Sequence, residues 1–162
     1  MSYSLVIGVL CGSARGRCRL GMVASAAGFL LIASAGLAWS FQRDDARRTV
    51  LDGVYTAEQA TRGQAAYDRH CGSCHLEDLS GTDRGPALAG DSFLSAWIDA
   101  SVGDLFDRTH RSMPQDEPGT LPVDVTRDIV AYLLQANDYP VGGTELQTDL
   151  TALHGIVIVR KP

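Results

Sequence analysis

Cys71 and Cys74 stand three positions apart, and His75 follows the second thiol directly. Two thiols on one helical turn can each bond a vinyl group of one porphyrin, and the next residue sets an imidazole against the iron. The run Cys71-Gly72-Ser73-Cys74-His75 therefore fits covalent attachment of a c-type haem. Three other chemistries use part of the same pattern. A redox-active Cys-x-x-Cys belongs near a βαβ unit, and no strand-rich unit flanks residues 71–75. A zinc site on Cys71, Cys74 and His75 needs a fourth ligand, and the chain has no second Cys-x-x-Cys and no His-x-x-x-His. A Cys71–Cys74 disulfide is open to the chain in an oxidising compartment.

A haem held by His75 has a second face, and the residue placed there separates electron transfer from ligand chemistry. Met113 is the only methionine beyond the first forty residues, and it lies in an irregular loop stiffened by Pro114. A thioether there raises the reduction potential and closes the iron to small molecules. His110, three residues earlier, is the alternative and would lower the potential; it also reads as a solvated residue beside Arg108 and Arg111. His70 and His154 have no spacing that asks for iron. Pro86 offers a carbonyl with no competing N–H, which can accept the other ring proton of His75 and fix its orientation; an ordinary turn explains the same residue. Trp97, the only tryptophan of the expected folded domain, can reach a haem propionate with its indole N–H or simply pack the core.

The chemistry requires export to an oxidising compartment, and the N-terminus supplies a candidate signal. Arg15, Arg17 and Arg19 precede residues 20–39, a stretch without a charge. It reads as a signal peptide with small-residue cleavage positions at Ala33-Ser34-Ala35 or Gly36-Leu37-Ala38, or as an anchor long enough for about 30 Å of hydrocarbon. Either fate places the remainder in the periplasm, soluble or tethered to the inner membrane. Cys11 and Cys18 lie in this leader and are given no role. From residue 36 onward 11 Arg and Lys face 19 Asp and Glu, a balance of −8. That surface excludes nucleic acid as a partner and suits either a basic docking partner or plain solubility.

The elements that must position these residues follow from local pattern. The 162 residues contain no internal repeat and suit one modest domain. We divide the chain into a leader (1–38), a linker (39–52), a folded domain (53–140) and a C-terminal arm (141–162). Thr56-Ala57-Glu58-Gln59 has the form of a capping box, so a helix from about Ala57 to Arg69 delivers the chain into the Cys motif. Residues 76–86 are rich in turn formers and form a loop. Asp91 and Ser101 are candidate caps for two short helices. Three prolines and a glycine keep Met113 to Pro122 out of regular helix. A last helix runs from about Val123 to Ala136 with Pro122 at its first position. Ile156 to Val159 is a short β-branched run that reads as an edge strand or as an arm on the domain or a partner.

From Gly53 to about Pro140 the chain resembles the monohaem class I cytochromes c, through Gly63-x-x-x-Tyr67, Cys71-x-x-Cys74-His75, Gly85-Pro86-x-Leu88, Met113-Pro114 and Ala131-Tyr132-Leu133. The resemblance implies an all-α fold around one covalently attached haem c and its iron, with the first and last helices crossing at Gly63, Tyr67 and Tyr132. Residues 52–63 and Met113-Pro114-x-Asp116-x-Pro118-Gly119 look like the cytochrome domains that accompany or are fused to PQQ-dependent (quinoprotein) dehydrogenases. That likeness implies such a dehydrogenase as electron donor, with a terminal oxidase or another cytochrome beyond. The expectation is a one-electron carrier rather than an enzyme. The rival is a haem peroxidase or oxygen-binding sensor with a displaceable sixth ligand.

Overall fold

The computed structural model describes residues 47–162, so the leader, its candidate membrane-crossing segment and most of the expected linker lie outside the described residues. Among the described residues no helix is long and apolar enough to cross a membrane. The architecture is helix-rich, with helices α1 (Ala57–His70), α2 (Gly72–His75), α3 (Gly90–Trp97), α4 (Val102–Ser112), α5 (Val123–Ala136) and α6 (Leu150–His154). The expectation of an all-α fold needs one amendment. Strands β1 (Arg48–Thr49) and β2 (Ile156–Val157) form a short parallel pair, Arg48 opposite Ile156 and Thr49 opposite Val157.

The crossing of α1 and α5 dominates the packing. It is possible because Gly63 brings the backbones together: a Cβ there would collide with the carbonyl oxygen of Asp128 and approach Cβ of Tyr132 to 2.9 Å. One turn further, the rings of Tyr67 and Tyr132 lie tilted at 55° with centroids 5.3 Å apart, in the range of favourable aromatic pairs. Ala60, Ala66 and Tyr67 of α1 and Ile129 to Leu134 of α5 supply the buried faces, with Phe93, Leu105 and Phe106 closing the core from α3 and α4.

Helix starts follow the sequence with three differences. Thr56 accepts from Gln59 N–H at 3.2 Å, but the second arm of the expected capping box is not made. The Gln59 side chain is buried instead, donating to Asp128 Oδ1 and to the carbonyl of Leu146 and accepting from Leu146 N–H. Asp91 does not cap α3; it sits in the first turn, where its charge still faces the positive end of the helix dipole. Pro122 is the N-cap of α5 rather than its first helical residue, with extended backbone (φ −56°, ψ 148°) and a carbonyl that accepts from both N–H and O–H of Thr126. Ser101 does cap α4, in a complete capping box with Asp104.

Packing continues on both sides of the expected 53–140 span. Val50 is fully buried within a 3-10 turn (Val50–Asp52) capped by Thr49, because β1 is tied to β2. The segment 141–162 lies on its own domain: Leu146, Leu153, Ile156 and Ile158 are buried, and Asp99 N–H donates to the carbonyl of Ile158 at 2.9 Å. Arg62 joins Asp128 at 2.9 Å and Glu145 at 2.8 Å, linking α1, α5 and the tail in one polar cluster.

Candidate haem site

α1 ends at the cysteine motif. Cys71 N–H still donates to Tyr67 O at 2.8 Å, and the Cys71 carbonyl then accepts from the N–H groups of Cys74 (3.1 Å) and His75 (3.0 Å), so Cys71 closes one helix and opens the next. The C-terminal carbonyls of a helix need outside partners. In the one-turn α2 those of Ser73, Cys74 and His75 have them, as does that of the following Leu76. Arg84 donates to Ser73 O, Thr82 Oγ1 to Cys74 O, Gly81 N–H to His75 O and Tyr67 O–H to Leu76 O, at 2.8–3.0 Å. The loop after the motif thereby clamps it, and Tyr67 couples it to the helix crossing.

His75 is buried, and its Nδ1 lies 2.7 Å from the carbonyl oxygen of Pro86. A carbonyl only accepts, so Nδ1 carries the proton and Nε2 is left with its lone pair. This is the tautomer an imidazole needs to ligate a metal through Nε2. Gly85 lets the loop approach this closely, since a Cβ there would come within 2.9 Å of ring atoms Cε1 and Nδ1.

Cys71 and Cys74 are both free thiols of intermediate exposure. Burial pushes the Cys71 thiol up to about 11, with Cys74 adding to it. A thioredoxin-type nucleophile requires the opposite shift, so the environment speaks against that reading. Among the described residues no three His, Cys, Asp or Glu side chains converge as a metal cluster, which leaves a zinc site without its ligand set.

Met113 is the C-cap of α4, its N–H donating to Thr109 O at 3.1 Å, and it begins the irregular loop that ends at Pro122. It is partly exposed. The His110 ring stacks on Phe106 (centroids 5.7 Å, 27°), and its Nδ1 lies 3.3 Å from Thr126 Oγ1 of α5. Trp97 closes α3 and packs against the core. His154 lies in the tail with Nδ1 2.9 Å from Ser101 Oγ.

Residues 58–133 match the family model described as cytochrome C oxidase, cbb3-type, subunit III. Over this segment the chain is similar to a cytochrome c domain. Its cofactor is covalently bound haem c with iron, and its work is electron transfer. The residues fit that group, since the segment presents two free thiols on one turn and a buried imidazole whose Nε2 is free to ligate. The crystal structure of the sulfane dehydrogenase SoxCD from Paracoccus pantotrophus is similar at 26% identity and a TM-score of 0.43, over 74% of this chain and 61% of that one. The chain thus spans less than two thirds of that chain's length. Comparison with curated proteins gives no match.

Sequence reasoning missed the contribution of Gln59, Asp128 and Asn137, which hold the elements around the motif. Two of these carry amide side chains whose partners are dozens of residues away, so no local spacing signals them.

Proposed function

We propose that the protein is a class I monohaem cytochrome c of the periplasm, with haem bonded to Cys71 and Cys74 and its iron held between His75 and Met113. The observation that carries this reading is the 2.7 Å contact from His75 Nδ1 to the Pro86 carbonyl, which places the ring proton on Nδ1 and leaves the lone pair on Nε2. When bound, the haem supplies one-electron redox chemistry. The chain's own groups do the rest. With His75 and Met113 both holding the iron, no position would be left for oxygen or peroxide, and the group would serve a carrier rather than an enzyme. Met113 as a sulfur donor favours the reduced state and raises the potential.

In this reading the electron donor is a PQQ-dependent dehydrogenase and the acceptor a respiratory cytochrome or terminal oxidase. The support is the sequence likeness at residues 52–63 and 113–119 together with the acidic balance of −8 beyond residue 36, which suits basic docking surfaces. Stopped-flow mixing of the oxidised protein with a substrate-reduced quinoprotein dehydrogenase tests the donor. Rapid reduction that slows as salt rises supports it; reduction no faster than by an unrelated reduced flavoprotein contradicts it.

A further inference from the structure

Asn137 directly follows α5 and is 5% exposed. Its side chain is fully engaged. Nδ2 donates to Leu133 O at 2.9 Å and to Leu88 O at 3.0 Å, and Oδ1 accepts from Gly90 N–H at 3.0 Å. Closing the end of α5 needs only the first of these bonds. The other two reach 47 and 49 positions back along the chain, to the segment that continues from Pro86. The Asn137 backbone is itself fixed, its N–H donating to Leu133 O and Leu134 O and its carbonyl accepting from Lys161 Nζ at 3.0 Å.

Residues 85–90 are therefore held from two sides. Upstream, Thr82 N–H donates to Gly85 O at 2.7 Å, and Gly81 (φ 76°) runs so close to the Pro86–Ala87 peptide that a Cβ would collide with it. Downstream, Leu88 N–H donates to Leu79 O at 2.9 Å while its carbonyl accepts from Asn137. Between the two anchors lies the Pro86 carbonyl, 2.7 Å from His75 Nδ1.

We propose that Asn137 is a positioning residue for the haem ligand: by tying residues 88–90 to the end of α5 it fixes the Pro86 carbonyl against His75 and so sets the orientation and basicity of the imidazole. The inference rests on the reading of His75 as a ligand. A firm bond at Nδ1 pushes electron density toward Nε2, which stabilises ferric iron; loosening it favours the reduced state and raises the potential.

The test uses the full chain matured with haem, as wild type, Asn137→Ala, Asn137→Asp, His75→Ala and the control Leu153→Ala, a buried tail residue remote from the motif in sequence. Reduction potential, hydrogen exchange of the His75 Nδ1 proton and thermal stability are measured on each. Asn137→Ala removes both bonds to residues 88–90 and should raise the potential and speed the exchange roughly five- to thirtyfold. Asn137→Asp keeps an acceptor for Gly90 and loses the donor to Leu88, and should shift both in the same direction. Leu153→Ala should lower the melting temperature and move neither. If the Asn137 variants behave like Leu153→Ala while His75→Ala loses the low-spin spectrum, the positioning inference fails and the ligand reading stands. An unchanged spectrum in His75→Ala overturns both. Should neither Asn137 variant fold, native-state exchange of the wild type decides: the Gly90 amide and the His75 Nδ1 proton must open together as denaturant rises, and separate opening overturns the proposal.

Discussion

His75 shows how a single side chain is prepared for its task. The Pro86 carbonyl fixes which nitrogen is protonated, and Gly85 admits the loop that brings that carbonyl near. Gly85→Ala forces a methyl group to 2.9 Å from the ring, so the imidazole or the loop must shift. The expected result is a destabilisation of about 1–3 kcal/mol with an altered ferric spectrum, checked by thermal melts and visible absorption. The Cys71 to His75 run is legible in the sequence because its short spacing carries its meaning. Gln59 is not. Its position three after Thr56 marks it as half of a capping box, yet its amide joins α1 to Asp128 and Leu146, 69 and 87 residues away. Burial of a long-range partner wins over a local cap, and only the fold reveals it.

At the scale of elements, the site depends on the α1–α5 crossing and on what surrounds it. Gly63→Ala places a methyl group on the Asp128 carbonyl, and the helices must separate. Because Tyr67 bonds Leu76 beside the motif, the loss passes to the haem site; overpacking of this kind costs about 3 kcal/mol or more and should prevent accumulation of the holoprotein, measured as haem-stained yield. The tail is the second case. Its β-branched run shows in sequence as a strand or arm, but its share of the core does not, since Leu146, Leu153, Ile156 and Ile158 are spread over an otherwise polar segment. Each contributes about 1.5–3 kcal/mol by burial, so their sum is comparable with the whole stability of a small domain. Deleting residues 144–162 should therefore abolish cooperative thermal unfolding rather than merely lower its midpoint.

For the whole molecule, charge is the term that conditions govern. Burial pushes the Asp128 carboxyl up, but hydrogen bonds from Arg62, Arg127 and Gln59 outweigh it and hold the group below the usual carboxylate range. Folding thus favours its ionised form. The stabilisation is complete above the unfolded value of about 3.9 and is lost as pH falls through the lower folded value. Melting temperature should fall on acidification below about pH 4, and Asp128→Asn should be less stable at neutral pH and flatter through that acid limb. The most direct test of the central assignment is the ferric visible spectrum and reduction potential of the haem-loaded Met113→Ala protein beside wild type. Loss of the weak sulfur-to-iron charge-transfer band, a lower potential and newly rapid cyanide binding are the predicted result. An unchanged spectrum and potential would contradict Met113 as the sixth ligand, and with it the account of a closed electron-transfer centre.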